Sequence, residues 1–188
     1  MGQVVHLVHL VGRFFGSLRP GPPAAEDEAW AIDRLSAGER DLWARMSNPD
    51  RRHAVGVARE VVRRWPELGP TALGDEVVTG DGPEPPRAVV AAALLHDVGK
   101  VDSGLRTPAR VVATLVWAVL DDGMAERWMT TRRGGFRARL ARYRRHPEIG
   151  GRLLGQAGAD PLTATWAEQH HQPPQRWTVD RRIGQLLK

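Results

Sequence analysis

Four of the seven histidines fall where helical spacing would bury them, and one of the four is followed by an aspartate. His53 shares a face with Val57 and Val61 at successive intervals of four, and His170 follows Leu162 and Trp166 on the same spacing. His96 extends the apolar run Ala92, Ala93 and Leu95, with Asp97 beside it. His146 stands at an N-cap position before Pro147, from which its side chain can leave the helix axis and turn inward. One histidine on an apolar face is ordinarily a core residue with a hydrogen-bond partner. Several polar groups left unpaired in one core would each cost about 1–3 kcal/mol. They are therefore expected to converge on something that pairs them together, and a divalent cation does so economically. Neutral imidazole and carboxylate are ordinary ligands for manganese, iron, nickel or zinc. The chain has no cysteine, which excludes thiolate zinc sites, iron–sulfur clusters, disulfides and a cysteine nucleophile. Any metal must then be held by histidine, carboxylate and water.

The elements that have to position these residues read as helices. Apolar spacing is helical almost throughout, and strand signals are nearly absent. Ser36 caps a helix over 36–46, and Asn48-Pro49 starts the next, which carries His53 and stops at Trp65-Pro66. Residues 66–86, with five prolines and several glycines, read as a long loop. A helix over 87–98 brings His96 and Asp97 to its end at Gly99. Further helices are expected over 107–120, 124–130, 136–144, 146–158, 160–171 and 179–188. Proline after a small polar cap recurs at several of these starts. The spacing predicts an all-α domain over 26–188, preceded by an apolar segment and the proline-rich linker RPGPPAA within 1–25.

A first histidine in RRHAVGVAREV, the doublet in LLHDVGK, HPEIGGRLL at 146–154 and the HH pair at 170–171 follow one another in that order. On an all-helical chain this set resembles the HD-domain metal-dependent phosphohydrolases. The context of the doublet is close to the HDIG form, and the downstream histidine motifs are similar to the HD-GYP branch. The resemblance covers residues 48–188 or so. The stretch after the HH pair is QPPQRW, without GYP, so hydrolysis of cyclic-di-GMP is not implied.

The resemblance implies an HD-domain-like helical bundle in which His53, His96 and Asp97 hold one cation. His146 and His170 would hold a second, with Asp97 bridging. The family's last metal-binding aspartate ends a helix similar to IGQLLK, which would put it just past Lys188. Asp180 sits at the opposite end of that helix and is expected to stand behind the ligands or to touch substrate. His171, about 100° around the helix from His170, has three readings: support for a ligand, a substrate contact, or an exposed residue. The implied cofactor is one or two divalent ions, manganese, iron, nickel or magnesium, with zinc also compatible. The implied reaction is hydrolysis of a phosphomonoester or phosphodiester in a nucleotide or other small phosphorylated substrate. A bound cation lowers the pKa of its water to about 7 and polarises a phosphoryl oxygen. Asp97 and Lys100 are the catalytic candidates, Lys100 by setting positive charge against the phosphate in the transition state. Lys100 reads equally well as a charge complementing a helix C-terminus. Asp102 and Ser103 read first as a turn. The alternative function is a catalytically inactive HD-fold module acting in regulation or partner binding.

The net charge of +5 suits phosphate-bearing ligands, yet the arginines are scattered over most of the helices. No basic stripe interleaved with aromatics forms, so no nucleic-acid partner is expected. Lys100 and Lys188 are the only lysines. Trp43, Trp65, Trp117 and Trp166 occupy apolar faces and read as core. The start, VVHLVHLVGRFF, is too short and interrupted to span a bilayer and lacks the flanks of a signal peptide. A helix packed on the domain, or on a second copy in a homo-oligomer, is expected there. A cysteine-free chain with no membrane span is expected in the cytoplasm.

Overall fold

Four helices begin on a serine or aspartate side chain that takes up an otherwise unpaired backbone N–H. They belong to a computed structural model that describes residues 21–68, 71–73, 76–78, 84–105, 122–129 and 135–188, with 109, 112, 113 and 116 between. The N-terminal apolar segment and Trp117 lie outside the described residues. In chain order the α-helices are α1 Ala25–Asp33, α2 Ala37–Arg45, α3 Asn48–Arg64, α4 Arg87–Leu95, α5 Asp122–Met129, α6 Phe136–Arg144, α7 His146–Gln156, α8 Pro161–Gln169 and α9 Arg181–Leu187. Residues 109, 112, 113 and 116 are also helical, within the helix expected over 107–120. The architecture is all-α.

Ser36 closes a full capping box: its hydroxyl accepts from Glu39 N at 3.4 Å, and its own N–H donates to Glu39 at 2.8 Å. Ser47 rather than Asn48 caps α3, which puts Pro49 in the first turn, where a missing N–H costs nothing. His146 is the first residue of α7, not its cap; Arg145 precedes it.

Three elements differ from the sequence expectation. Helix α1 was not anticipated, because Ala24 offers no capping side chain; its acidic first turn, Glu26, Asp27 and Glu28, is the signal it does carry. The long loop over 66–86 contains a short antiparallel hairpin, β1 Thr71–Leu73 and β2 Glu76–Val78, with Leu73 opposite Glu76. The sequence between the two strands is Gly-Asp, a pair that favours two-residue hairpin connections. Finally, α4 stops at Leu95, and a 3-10 helix over Val98–Ser103 follows the doublet.

Helix α4 is the axis of the fold. All seven residues Val89–Leu95 are buried, as expected for a helix apolar on every side. It packs against α3, α8 and α9, while α7 lies on α8 and on the 98–103 segment. Trp43, Trp65 and Trp166 are fully enclosed in the core around it. A smaller apolar cluster of Leu105, Ala113 and Leu140 adjoins Tyr143 at the end of α6. Arginines close several element ends. Arg87 donates to the carbonyls of Asp33, Arg34 and Leu35 at 2.7–3.0 Å, tying the end of α1 to the start of α4. Arg139 and Arg142 do the same for Ser103, Gly104 and Asp102.

Candidate metal centre

The histidines are delivered by helix ends. His96 follows α4, His146 opens α7 directly behind α6, and His170 follows α8. Each places its Nδ1 on the carbonyl three residues earlier: Ala93 at 2.8 Å, Tyr143 at 2.8 Å and Ala167 at 2.9 Å. Those carbonyls lie in the last turn of a helix, where the regular ladder of backbone donors runs out. A carbonyl only accepts, so Nδ1 carries the proton in all three rings. In the neutral imidazole Nε2 is then a lone pair, and its direction is fixed by the bond on the other side of the ring.

All three Nε2 atoms face one carboxylate. Asp97, 3% exposed, has Oδ1 at 3.2 Å from His146 Nε2 and 3.6 Å from His170 Nε2, and Oδ2 at 3.4 Å from His96 Nε2. His171 Nε2 lies 3.2 Å from His146 Nε2. His53 comes down from α3 to within 5.5 Å of His96, ring centre to ring centre. The possible ligand atoms fall into two groups sharing Asp97: His53, His96 and Asp97, and Asp97, His146, His170 and His171, each within 4.8 Å of one another.

The spacing fits a cation. Two ligand atoms about 2.1 Å from one ion, set at octahedral to tetrahedral angles, stand about 3.0–3.4 Å apart. The separations of 3.2–3.6 Å overlap the upper part of that range and exceed it by about 0.2 Å at His170. His170 Nε2 is the sharper observation: it is buried and, among the described residues, has no hydrogen-bond partner. Burial also pushes the His170 pKa below the ordinary 6.5, so the ring is neutral and its lone pair points at a carboxylate oxygen. Two acceptors face to face repel unless a positive ion lies between them. This buried His/Asp group can hold a metal ion.

Lys100 lies in the 98–103 helix, and its Nζ donates to Asp97 Oδ2 at 2.5 Å. Burial would raise the Asp97 pKa, but Lys100 and His96, with His146 and His170, outweigh it and hold the carboxyl well below 3.8. Burial likewise works against the Lys100 charge, and Asp97 reverses that, so Lys100 stays protonated. His171 is still exposed to solvent at its edge; desolvation of its ring, and then His170 and His146, press its pKa down to about 3. Ser103 is a turn residue: its hydroxyl donates to Lys100 O at 2.7 Å and accepts from Leu105 N at 3.3 Å.

The structure thus gathers His53, His96, Asp97, His146, His170 and His171, with Lys100 attached through Asp97. Asp180 belongs to neither group. Its carboxylate caps α9, accepting from Arg182 N at 2.8 Å and Ile183 N at 3.2 Å. The place of His171 is not legible from helical spacing because it lies past the helix end. Helix α8 ends at Gln169, and the turn that follows swings His171 onto His146. A cavity of about 360 Å³ opens beside His53, between Arg52 and Arg64 of α3 and Leu186 and Lys188 at the end of α9.

Comparison with protein-family models, with curated proteins and with solved structures finds no match to this chain.

Proposed function

We propose that the protein is a metal-dependent phosphohydrolase acting on a small phosphate ester, with Asp97 shared between two cation groups. The observation that carries this reading is the common orientation of His96, His146 and His170. Each ring is fixed through Nδ1 to its own helix end and offers Nε2 to Asp97. A core that merely buried its histidines would use both ring nitrogens in hydrogen bonds. The ordered motifs of the HD-domain resemblance supply the reaction class. Manganese, iron, nickel, magnesium and zinc are all compatible with imidazole and carboxylate donors.

When bound, a divalent cation would supply Lewis acidity, lowering the pKa of a coordinated water and polarising a phosphoryl oxygen. The chain's own groups do the rest. His53 and His96 with Asp97 form an open set of two imidazoles and one carboxylate, which leaves positions for substrate and water. The cavity beside His53 is lined by Arg52, Arg64 and Lys188 against one carboxylate, Glu60, and this excess of cations favours an anionic ester. Lys100 is close enough to Asp97 to hold its orientation while keeping positive charge near the reacting group.

A non-catalytic helical module is the second reading. The Lys100–Asp97 ion pair favours it, since that pair neutralises the carboxylate without any metal. Metal analysis of the purified protein, followed by a phosphomonoester and phosphodiester screen with added manganese, separates the two. Bound metal with turnover that is lost in Asp97→Asn supports the enzyme. A protein that binds no divalent cation supports the module.

A further inference from the structure

We infer that the two cation groups are unequal: Asp97, His146, His170 and His171 take the first ion, and Lys100 holds back the second from His53, His96 and Asp97. The inference rests on the metal-binding reading given above but not on any catalytic activity.

The two carboxylate oxygens of Asp97 have different neighbours. Oδ1 faces His146 and His170, and among the described residues no lysine or arginine pairs with it. Oδ2 faces His96 at 3.4 Å and holds the Lys100 ammonium at 2.5 Å. An ion entering the His53–His96 group has to share Oδ2 with a fixed positive charge that is 13% exposed. At such separations away from bulk water, like charges repel strongly. An ion bound through Oδ1 lies on the far side of the carboxylate from Lys100 and meets less of this repulsion.

Ligand number points the same way. Among the described residues, three imidazoles and a carboxylate complete a four-coordinate set in one group, whereas the other group holds two imidazoles and a carboxylate. The unpartnered His170 Nε2 also belongs to the four-residue group, so filling that group first removes the penalty of a buried, unsatisfied atom. The three features converge on one loading order, with Lys100 as its determinant.

The test is calorimetric titration of the chelator-treated full chain with manganese alone, with metal analysis after desalting. The parent should show a tight first event and a weaker second one. His170→Ala should abolish the tight event, while His53→Ala should leave it and abolish the weak one. Lys100→Met, which keeps the length and removes the charge, should strengthen the second event by about tenfold or more relative to the first. Lys100→Arg should keep the parent's gap. Loss of the tight event in His53→Ala, or an unchanged gap in Lys100→Met, overturns the inference while leaving metal binding intact. If Lys100→Met does not fold, the His53→Ala and His170→Ala pair still decides the order. A parent that takes up no manganese overturns both this inference and the proposed function.

Discussion

The backbone of Gly99 crosses α7 at His146 so closely that a Cβ on Gly99 would fall on the His146 carbonyl oxygen and 2.6 Å from Gly150 N. Gly99 does not have a positive φ, so the requirement is for space, not for an unusual backbone conformation. This crossing is what lets Asp97, two residues before it, reach His146 on the neighbouring helix.

Gly99→Ala should therefore push the 98–103 segment off α7 and part Asp97 from His146. A loss of about 1–3 kcal/mol is expected for overfilling such a contact. Metal content should fall with it. Chemical denaturation of the metal-free variant, alongside metal analysis, checks both; parent-like stability would show that the crossing relaxes without cost.

His96→Ala and Asp97→Ala should differ in how much they destabilise. Both remove a group of the proposed metal site, but Asp97→Ala also strands the Lys100 ammonium, whose side chain is 13% exposed. Breaking a buried pair from one side costs about 3–5 kcal/mol. Asp97→Ala should be the less stable of the two, and adding Lys100→Met to it should restore part of the loss. Equal stability in the two single variants would mean that Lys100 finds another partner or reaches solvent.

Much of this centre was legible because a helix repeats every 3.6 residues. His53 and His170 could be placed on buried faces by counting from Val57 and Trp166. What counting could not give was the geometry past a helix end. His171 and Lys100 both lie beyond the last regular turn of a helix, and their partners, His146 and Asp97, depend on how the chain leaves it. The carbonyls of Ala93, Tyr143 and Ala167, which orient the rings, were also invisible, since every residue has one. The hairpin over 71–78 did carry its Gly-Asp signal, but the prolines around it dominated the reading.

Acid should destabilise the metal-free protein. Burial holds His170 below 6.5 and desolvation of its ring holds His171 at about 3, so the unfolded chain takes up protons there that the folded chain refuses. Stability from a lowered pKa is present above the unfolded value and is lost as pH falls towards the folded one. Asp97, held well below 3.8, adds to the loss at still lower pH. Melting temperature in chelator should fall steadily from about pH 6.5 to 4. A flat profile across that window would mean that the histidines are already protonated in the folded state.

Trp166 should report cation binding. Its ring lies 6.5 Å from His170, near enough for a paramagnetic ion at the centre to quench its fluorescence. Cobalt or manganese should dim the emission saturably in the parent. Trp166→Phe should remove most of that response, although Trp177, 5.2 Å from Trp166, retains its own signal. Quenching that persists in full without Trp166 would place the bound ion elsewhere.

The fan of bonds from Arg87 to three successive carbonyls has a consequence for ionic strength. Dissolved salt screens one charge from another, as in the exposed Arg59–Asp27 pair, but the carbonyls under Arg87 bear no net charge. The join between α1 and α4 should then persist in brine that loosens the surface ion pairs. Only a flat, multiply donating guanidinium reaches three oxygens at once; an ammonium has the charge without the span. A chain whose basic side chains are arginine at all but two positions has thus placed some of them as rivets for helix ends, indifferent to the electrolyte around them.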